Sequence, residues 1–462
     1  MGLVKFMEVI KFKEIFEGLY TPPSRMPKMG HHAMVYGIIM LLFIGFNRVW
    51  HFLYIQTDSM LCAIFHVEKL PFVTTYWRYV NSLGINQGKS LLMVMSVLRE
   101  RVWHLCEFRY EMIHINIDTT VETIYGNQQG GRKGHNMKNR GKKGFRPVLC
   151  FIEETREYFV GKLRSGDTMG GEEIGEMIRS FKKYLPGCVK KVLHRGDGEF
   201  ISWESVSAAM EEGYQFIFGN KGCNPPFDPT RWYKVRGNGE VEYNECVYQP
   251  IGWKQACRFV AMRIPEDKPG EGKAVQRKLF KDGNYIYRIF VTNMEKKAHR
   301  VIEEYDKRAD CENLIGEAKR EGLAAIVSKK FASNYAYFQL VMLSYNIWRS
   351  FKMLAWHSRL EQKHEQESEE KKSEQECTLR EVVDNTIRIA RLKLLFIAAK
   401  ITGHSNTYEV KYSQHDSRVS GLFRFMEYLD ERLRQSRPWL DSQRWLSKHL
   451  VGMGIKQIAF SP

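Results

Sequence analysis

Apolar residues recur with a helical period over roughly the first 110 residues of the chain. The segment LVKFMEVIKFKEIFEGLY has this period and ends before a Thr-Pro-Pro break at residues 21–23, where proline stops a helix. The apolar run AMVYGIIMLLFIGF follows at residues 33–46. It is shorter than the roughly 20 residues that span a bilayer, so the pattern predicts a buried helix. Residues 1–110 are therefore predicted to form a helical N-terminal region.

Within this region, two predicted helices are joined by the short turn VEKLP. Asp58 and Thr74 are the N-cap candidates of the two helices. The pair is compatible with a DNA-binding helix-turn-helix, whose second helix would present Thr75, Trp77 and Arg78. An ordinary helical hairpin explains the pattern equally well, because Arg78 is nearly the only cation on the second helix.

From residue 111 onward, short runs typical of strands alternate with amphipathic helices. The strand-like runs are IHINID, ending on Asp118, RPVLCFIEE, REYFVGKLRSGD, VKKVLHRGDGEF, containing Asp197, and YQFIFGN. RPVLCFIEE and REYFVGKLRSGD lie close enough in sequence to form a hairpin. With helices expected at 171–184 and 202–212, the order β-β-β-α-β-α-β over residues 111–220 predicts an α/β fold, a mixed sheet with flanking helices.

The alternation breaks at residues 221–284, which are rich in proline and contain the strand-like pieces EVEYNECVYQ and CRFVAMRI. This pattern predicts a β-rich insertion. The α/β pattern resumes over residues 285–358, beginning with the strand YIYRIFVTN. The low-complexity charged stretch at 359–376 is typical of a mobile linker. A helical C-terminal region is expected at 377–462, beginning with LREVVDNTIRIARLKLLFIAAKI.

The net charge of +17 and the pI of about 9.3 indicate a polyanionic partner. Because no segment is long enough to span a membrane, the sequence favours nucleic acid as that partner. The nine cysteines include no C-x-x-C pair. Their number and spacing are typical of a reducing cytosol and argue against a disulfide framework or a zinc site.

The stretch YDKRADCENLIGEAK at residues 305–319 is predicted to form one helix. Tyr305, Arg308, Glu312 and Lys319 would then fall within a stripe roughly 60° wide, beside an apolar face. The stripe is typical of a solvated helix face, on which Arg308 and Glu312 would form an i,i+4 ion pair. The alternative is a carboxylate held at the edge of a core with a phenol and two cations in line with it.

Three carboxylates are placed where an α/β sheet would gather them. Asp118 ends the first strand, Asp197 follows a later strand, and Glu312 lies on the subsequent helix. Converging carboxylates repel one another unless a cation neutralises them, and hard oxygen ligands suit Mg²⁺ or Mn²⁺. Each aspartate taken alone is more typical of a turn or cap residue.

The combination resembles the DDE transposases of bacterial insertion sequences, one branch of which carries a Tyr-x2-Arg-x3-Glu-x6-Lys signature. Tyr305, Arg308, Glu312 and Lys319 match that spacing in full. NIDTT, GFRPVLCFIEETREYFVGKLRSGDT and LHRGDGEF match the order of the surrounding segments, and the resemblance extends over about residues 30–420. It implies a ribonuclease H-like core, with a β-rich insertion between the second aspartate and the glutamate.

The resemblance further implies that Asp118, Asp197 and Glu312 hold two Mg²⁺ or Mn²⁺ ions. Tyr305, Arg308 and Lys319 would grip DNA phosphates. The expected activity is cleavage at the ends of a mobile element and joining of the freed 3′-hydroxyl to target DNA. The expected partners are double-stranded DNA, at the terminal inverted repeats and at the target, and a second copy in a synaptic homodimer. The expected location is the bacterial cytoplasm, at the nucleoid.

Two other functions fit the same sequence. A ribonuclease H-like nuclease would cut DNA without joining strands, and a transposase-derived DNA-binding protein would have lost catalysis. Metal-dependent cleavage and strand transfer separate the three. Residues 1–110 would contribute recognition of the element's ends, although their apolar richness would serve a dimer interface equally well.

The loop GNQQGGRKGHNMKNRGKKG has no apolar period and is rich in cations. It is either a DNA-facing surface or a solvated loop. Its candidate DNA-contacting residues are Arg132, Lys133, Lys138, Arg140, Lys142 and Lys143. The DDE family often stacks a flipped base on a tryptophan of the insertion, which makes Trp232 and Trp253 candidates, although a core position suits either residue better.

Overall fold

The computed structural model describes residues 2–65, 67–134, 136, 139–265, 281–282, 285–363, 385–397, 399–404, 407–413 and 415–435. The α-helices are α1 (Gly2–Val9), α2 (Phe12–Leu19), α3 (Gly30–Phe43), α4 (Phe52–Ile55), α5 (Ser59–Phe65), α6 (Val73–Ser82), α7 (Ile85–Leu105), α8 (Gly171–Ser180), α9 (Trp203–Glu211), α10 (Ala298–Asp306), α11 (Asp310–Ala318), α12 (Phe331–Lys363), α13 (Ile387–Leu394) and α14 (Ser417–Gln435).

The strands are β1 (Met112–Thr119), β2 (Glu122–Thr123), β3 (Arg132–Lys133), β4 (Lys143–Phe145), β5 (Val148–Ile152), β6 (Tyr158–Lys162), β7 (Lys191–Gly196), β8 (Gln215–Gly219), β9 (Tyr233–Lys234), β10 (Glu242–Tyr248), β11 (Cys257–Pro265), β12 (Lys281–Asp282), β13 (Tyr285–Thr292), β14 (Ala399–His404) and β15 (Thr407–Tyr412). Shorter helical turns are Val49–His51, Phe181–Lys183, Pro229–Arg231, Lys307–Ala309 and Lys319–Leu323.

The chain divides into two compact units. The helical unit combines Met1–Phe108, Gly126–Gln129 and Gly316–Pro462, and the sheet unit combines Arg109–Tyr125 and Gly130–Ile315. The predicted helical N-terminal region at residues 1–110 thus shares one unit with residues 316–462, and a division between the two units falls between Ile315 and Gly316, within α11.

Helices from both ends of the chain share the core of the helical unit. α12 packs against α7 and α3, and α1 packs against α14. The Trp348 ring stacks on Phe43 with ring centroids 3.9 Å apart, and its Nε1 donates a hydrogen bond to the Phe43 carbonyl at 3.0 Å. This contact explains why the N-terminal helices do not cluster alone, since Phe43 buries its ring against a helix from the far end of the sequence.

The predicted buried helix at residues 33–46 is confirmed as α3, which is buried from Met34 to Phe43. In the part of the chain that the structure describes, no helix is long and apolar enough to cross a membrane. Asp58 caps α5 as predicted, since its Oδ1 accepts the Leu61 N–H at 2.8 Å. The predicted cap at Thr74 is wrong, because α6 begins at Val73 without a side-chain cap.

The C-terminal region departs from the predicted helix at residues 379–401. The helix in its described part is α13, and the chain then forms the antiparallel hairpin β14–β15, in which His404 pairs with Thr407. The sequence ITGHSNTYEVKY carries β-branched residues on both sides of Ser-Asn, a pattern typical of a hairpin. Of the predicted linker at 359–376, residues 359–363 continue α12, and the remainder lies outside the described residues.

The sheet unit is built on a ten-stranded mixed sheet with the order β6-β5-β1-β7-β8-β13-β11-β10-β9, in which β12 pairs with β13. β5 runs antiparallel to both β6 and β1, whereas β1, β7 and β8 run parallel. These five strands form the ribonuclease H-like arrangement, so the predicted α/β fold class is confirmed. The predicted hairpin of β5 and β6 is confirmed as well.

The predicted insertion does not form a separate layer in its described part. β13 pairs antiparallel with β8, and β11, β10 and β9 extend the same sheet beyond it. The hydrophobic core that this part of the sheet shares with β7 and α10 includes Leu193, Val260, Phe290 and Tyr305. The basic loop, predicted without secondary structure, contributes β3 and β4 to a three-stranded sheet with the order β2-β4-β3.

Candidate active site in the sheet unit

The parallel register of β1 and β7 brings Asp118 and Asp197 to one edge of the sheet. Ile117 pairs with Gly196, so each aspartate is the next residue along its strand or just past it. A Cβ on Gly196 would lie 2.8 Å from Ile117 Cγ2, too close for any larger residue at the end of β7. The carboxyl ends of adjacent parallel strands are where an α/β sheet places functional groups.

A backbone N–H holds each aspartate in place. The Thr119 N–H donates to Asp118 Oδ1 at 2.7 Å, and the Glu199 N–H donates to Asp197 Oδ1 at 3.0 Å. The donors are the last residue of β1 and a residue of the turn after β7, so the backbone at the strand ends orients both carboxylates. This arrangement leaves the second oxygen of each carboxylate to face other groups.

Glu312 lies exposed on α11, which is fixed against the sheet on two sides. Asp310 begins the helix, and its carboxylate lies 2.5 Å from Arg156 Nη2. Cys311 is buried, and its Sγ lies 3.9 Å from the Asn116 carbonyl oxygen on β1. These contacts place Glu312 near enough to Asp118 for its charge to raise the pKa of that aspartate.

The electrostatics of Asp118 show that negative charge is concentrated at this edge. Its pKa is raised from 3.8 to about 6, first by burial and then by the charges of Asp197 and Glu312. Arg308 and the Thr119 N–H act in the opposite direction. The site therefore holds its carboxylates against their mutual repulsion, a property typical of cation-binding sites.

Arg308 is the cation that faces Asp118. Its side chain is 7 % exposed, and Nη2 lies 3.1 Å from Asp118 Oδ2 and donates to the Ile117 carbonyl at 3.1 Å. The predicted helix at 305–319 is interrupted, because α10 ends at Asp306 and the 3₁₀ turn Lys307–Ala309 connects it to α11. Arg308 lies in that turn, and its side chain contacts the end of β1.

Tyr305 lies beneath the carboxylates in the hydrophobic core. It is 6 % exposed, and its ring lies 4.4 Å from that of Phe290. Burial is the main cause of its raised pKa. Arg308 acts in the opposite direction, and the charges of Asp197 and Asp118 raise the pKa of Tyr305 as burial does. Lys319, the last residue of the predicted signature, is half-buried in the helical unit at the start of the turn Lys319–Leu323.

Residues 3–368 match the family described as transposase DDE domain group 1. The chain belongs to this family. No curated protein matches the chain. Among solved structures, the synaptic complex of piggyBac transposase with hairpin DNA is similar at a TM-score of 0.42 and 11 % sequence identity, covering 100 % of this chain and 86 % of that one. Membership confirms the resemblance to DDE transposases and implies a metal-dependent enzyme that cuts DNA.

The carboxylates of this DDE family member fit a divalent metal by their chemistry. Asp118, Asp197 and Glu312 offer hard oxygen donors, and the charges of Asp197 and Glu312 both contribute to the raised pKa of the buried Asp118. Among the residues that the structure describes, no three His, Cys, Asp or Glu side chains are already close enough to form a metal-binding cluster. Arg308 instead supplies the nearest positive charge to Asp118.

Glu199 is a further acidic residue beside the two aspartates that the sequence analysis did not identify. Glu199 Oε2 lies 2.5 Å from Arg146 Nη2 and accepts the Thr119 hydroxyl at 3.2 Å. Glu199 lies two residues after Asp197 in RGDGEF, and Arg146 lies in GFRP before β5. An acid so close to a candidate catalytic aspartate was a usable signal, but nothing in the sequence linked it to Arg146.

The three-stranded sheet β2-β4-β3 presents most of the predicted basic loop to solvent. Lys133, Arg140, Lys142 and Lys143 are exposed. Arg132 is exposed too, and its guanidinium lies 2.8 Å from Asp167. Lys138 lies outside the described residues. In the helical unit, Arg78 is exposed on α6, beside half-buried Thr75 and Trp77.

Both candidate tryptophans of the insertion are packed against neighbours. The Trp232 ring lies 4.3 Å from the Arg263 guanidinium and meets Tyr287 edge-on. Trp253 lies 5.9 Å from Trp203 and 6.2 Å from Phe259. These contacts give each ring a structural role in the sheet unit.

Proposed function

We propose that the protein is a metal-dependent DNA transposase in which Asp118, Asp197 and Glu312 bind two Mg²⁺ or Mn²⁺ ions. The observation that carries the proposal is the shared edge of β1 and β7, where the parallel register brings Asp118 and Asp197 together. Burial raises the pKa of Asp118 there, and the charges of Asp197 and Glu312 add to that effect. Bound ions would polarise the scissile phosphate and lower the pKa of water, and two ions suit both the attacking and the leaving oxygen.

The reaction would proceed in two displacements at phosphorus. Water attacks the phosphodiester at the element's end, the P–O3′ bond breaks, and a 3′-hydroxyl remains. That hydroxyl then attacks a phosphodiester of the target, forming a new P–O bond as the target's own P–O3′ bond breaks. The side chains of the protein would hold the carboxylates in position, and Arg308 pairs with Asp118 and lowers its pKa against the effect of burial.

The burial of Arg308 and Tyr305 favours support of the carboxylates over direct contact with phosphate. Lys319 remains the candidate of the signature for a phosphate contact. We assign the other phosphate contacts to the exposed cations around β3 and β4, namely Arg132, Lys133, Arg140, Lys142 and Lys143. Arg78 on α6 would contact DNA from the helical unit.

The DNA partner would be the terminal inverted repeats of a mobile element together with its target. A homodimer would bring two ends together in a synaptic complex, and the reaction would take place at the nucleoid of a bacterial cell. The family match and the net charge of +17 support a DNA substrate.

The deciding experiment measures cleavage and strand transfer with DNA carrying the inverted repeats that flank the gene. Asp118→Ala, Asp197→Ala and Glu312→Ala should each abolish Mg²⁺-dependent cleavage and leave DNA binding largely intact, because binding depends on distributed cations. Glu303→Ala, which removes an exposed glutamate from α10, is the matched control and should remain active.

Each outcome of this assay has one interpretation. Full cleavage by one of the three alanine variants removes that residue from the site. Cleavage without joining identifies a nuclease. Specific binding without cleavage under any divalent metal identifies a DNA-binding protein that has lost catalysis.

A further inference from the structure

A buried ion pair lies directly beside the two aspartates. Arg146 and Glu199 are separated by 2.5 Å, and their side chains are 10 % and 12 % exposed. The Thr119 hydroxyl links them, since it accepts from Arg146 Nε at 3.2 Å and donates to Glu199 Oε2 at 3.2 Å. The pair is therefore tied to the residue that follows Asp118.

The same pair is tied to Asp197 through the backbone. The Glu199 N–H donates to Asp197 Oδ1 at 3.0 Å, while the Glu199 side chain is held by Arg146 and Thr119. Glu199 thus contacts Asp197 through its backbone N–H and Thr119, the residue after Asp118, through its side chain.

Arg146 is itself fixed to the sheet. Its N–H donates to the Arg164 carbonyl at 3.0 Å, and it lies two residues before Val148, which pairs with Thr119 on β1. The guanidinium therefore approaches from a rigid backbone on the β5 side. Arg308 contacts Asp118 from a different element, the turn that precedes α11.

Such a tie is needed because Asp118 and Asp197 repel each other where the strand pairing ends. Two carboxylates at the ends of paired strands repel each other, so without a bound cation they favour a wider separation than a shared cation requires. Charge-assisted hydrogen bonds to buried groups resist that separation without adding net charge.

We propose that Glu199 and Arg146 are positioning residues that hold Asp118 and Asp197 at the separation a divalent cation requires. This inference rests on the proposed function, because it takes the two aspartates as metal ligands. The pair acts through the Thr119 hydroxyl and the Glu199 N–H and touches neither DNA nor metal. Residues that orient metal ligands typically change metal affinity by about 10- to 100-fold when replaced.

The test titrates Mn²⁺ into the full-length protein without DNA and follows the rise in melting temperature. Glu199→Gln keeps the size of the side chain and removes its charge, so the Mn²⁺ concentration at half-maximal stabilisation should rise about 10- to 100-fold. The Mn²⁺ midpoint for DNA cleavage should move in parallel, and metal-free DNA binding should stay unchanged.

A matched control separates positioning from a general structural effect. Arg263 and Glu242 form another half-buried ion pair in the sheet unit, 2.6 Å apart with side chains 19 % and 18 % exposed, between β11 and β10. Glu242→Gln should change stability in the absence of metal but not the Mn²⁺ midpoint. The double variant Arg146→Gln/Glu199→Gln should lose no more Mn²⁺ affinity than the worse single variant, because the two residues act as one pair.

An Mn²⁺ midpoint for Glu199→Gln that stays within about twofold of the wild type, or moves no more than in Glu242→Gln, would overturn the inference. If Glu199→Gln does not fold, Arg146→Lys decides, since it keeps the charge and loses the two-pronged contact. A wild-type protein that shows neither Mn²⁺ stabilisation nor cleavage refutes the proposed function instead.

Discussion

Replacing Asp118 by asparagine should make the metal-free protein more stable at neutral pH while abolishing cleavage. The Asp118 side chain is 14 % exposed, and burial together with Asp197 and Glu312 raises its pKa from 3.8 to about 6. The folded state therefore disfavours the charged carboxylate, even with Arg308 beside it. Asparagine has nearly the same shape and mimics the neutral acid.

The size of the effect follows from linkage. At about 1.36 kcal/mol per pH unit, a rise in pKa from 3.8 to about 6 corresponds to roughly 3 kcal/mol of lost stability above pH 6. Because the folded pKa is the higher one, the contribution of Asp118 to stability is fully present below pH 3.8 and is lost as the pH rises through about 6. The advantage of Asp118→Asn should therefore grow over this interval.

The assay is urea denaturation in EDTA near pH 4 and near pH 7.5. The variant should be more stable by about 3 kcal/mol at the higher pH and nearly equal to the wild type at the lower one. Asp167→Asn, at an exposed ion pair with Arg132, is the control and should change stability by less than about 1 kcal/mol. An equal advantage at both pH values would refute the reasoning, since it could not arise from the ionisation of Asp118.

Three further predictions test other parts of the molecule. Arg308→Gln should move the acidic limb of the cleavage pH profile to higher pH, because Asp118 loses the charge that lowers its pKa; an unchanged profile with weaker DNA binding would favour a phosphate contact instead. Lys142→Gln should reduce the slope of log K against log salt by about 1, whereas Lys182→Gln, an exposed lysine after α8, should not. A protein beginning at residue 110 should fail to fold its remaining helical unit, measured by circular dichroism, because α12 loses α7 and α3; cooperative unfolding of that shortened chain would contradict the shared core.

The aspartates could be placed from the sequence because their positions depend on local patterns. Ile113, Ile115 and Ile117 alternate on β1 and are fully buried, which identifies the strand and its end at Asp118. The strand-like run VKKVLHRG, which directly precedes Asp197, identifies β7 in the same way. Adjacent strands of an α/β sheet then have little freedom in where their ends meet.

The surroundings of the aspartates could not be placed in this way. A helical period continues through Lys307–Ala309 whether or not the helix breaks there, so the sequence predicts Arg308 and Glu312 on one face. In the structure, Arg308 lies in that turn, is buried and pairs with Asp118. Likewise, the contact of Trp348 with Phe43 joins distant parts of the chain, and no local pattern reports such a contact. The burial of Arg308 and the contact of Trp348 with Phe43 both depend on tertiary packing, which the periodicity of apolar residues does not predict.

The charge at the site connects these contacts to the proposed chemistry. Asp118, Asp197 and Glu312 carry three negative charges and Arg308 one positive charge, which leaves two negative charges, while Arg146 and Glu199 cancel each other. One divalent cation balances that remainder. A second would bring excess positive charge, which the phosphates of bound DNA can neutralise. The charge balance of the protein alone thus favours one ion before DNA binds, and it ties the full metal complement of the proposed reaction to the presence of its substrate.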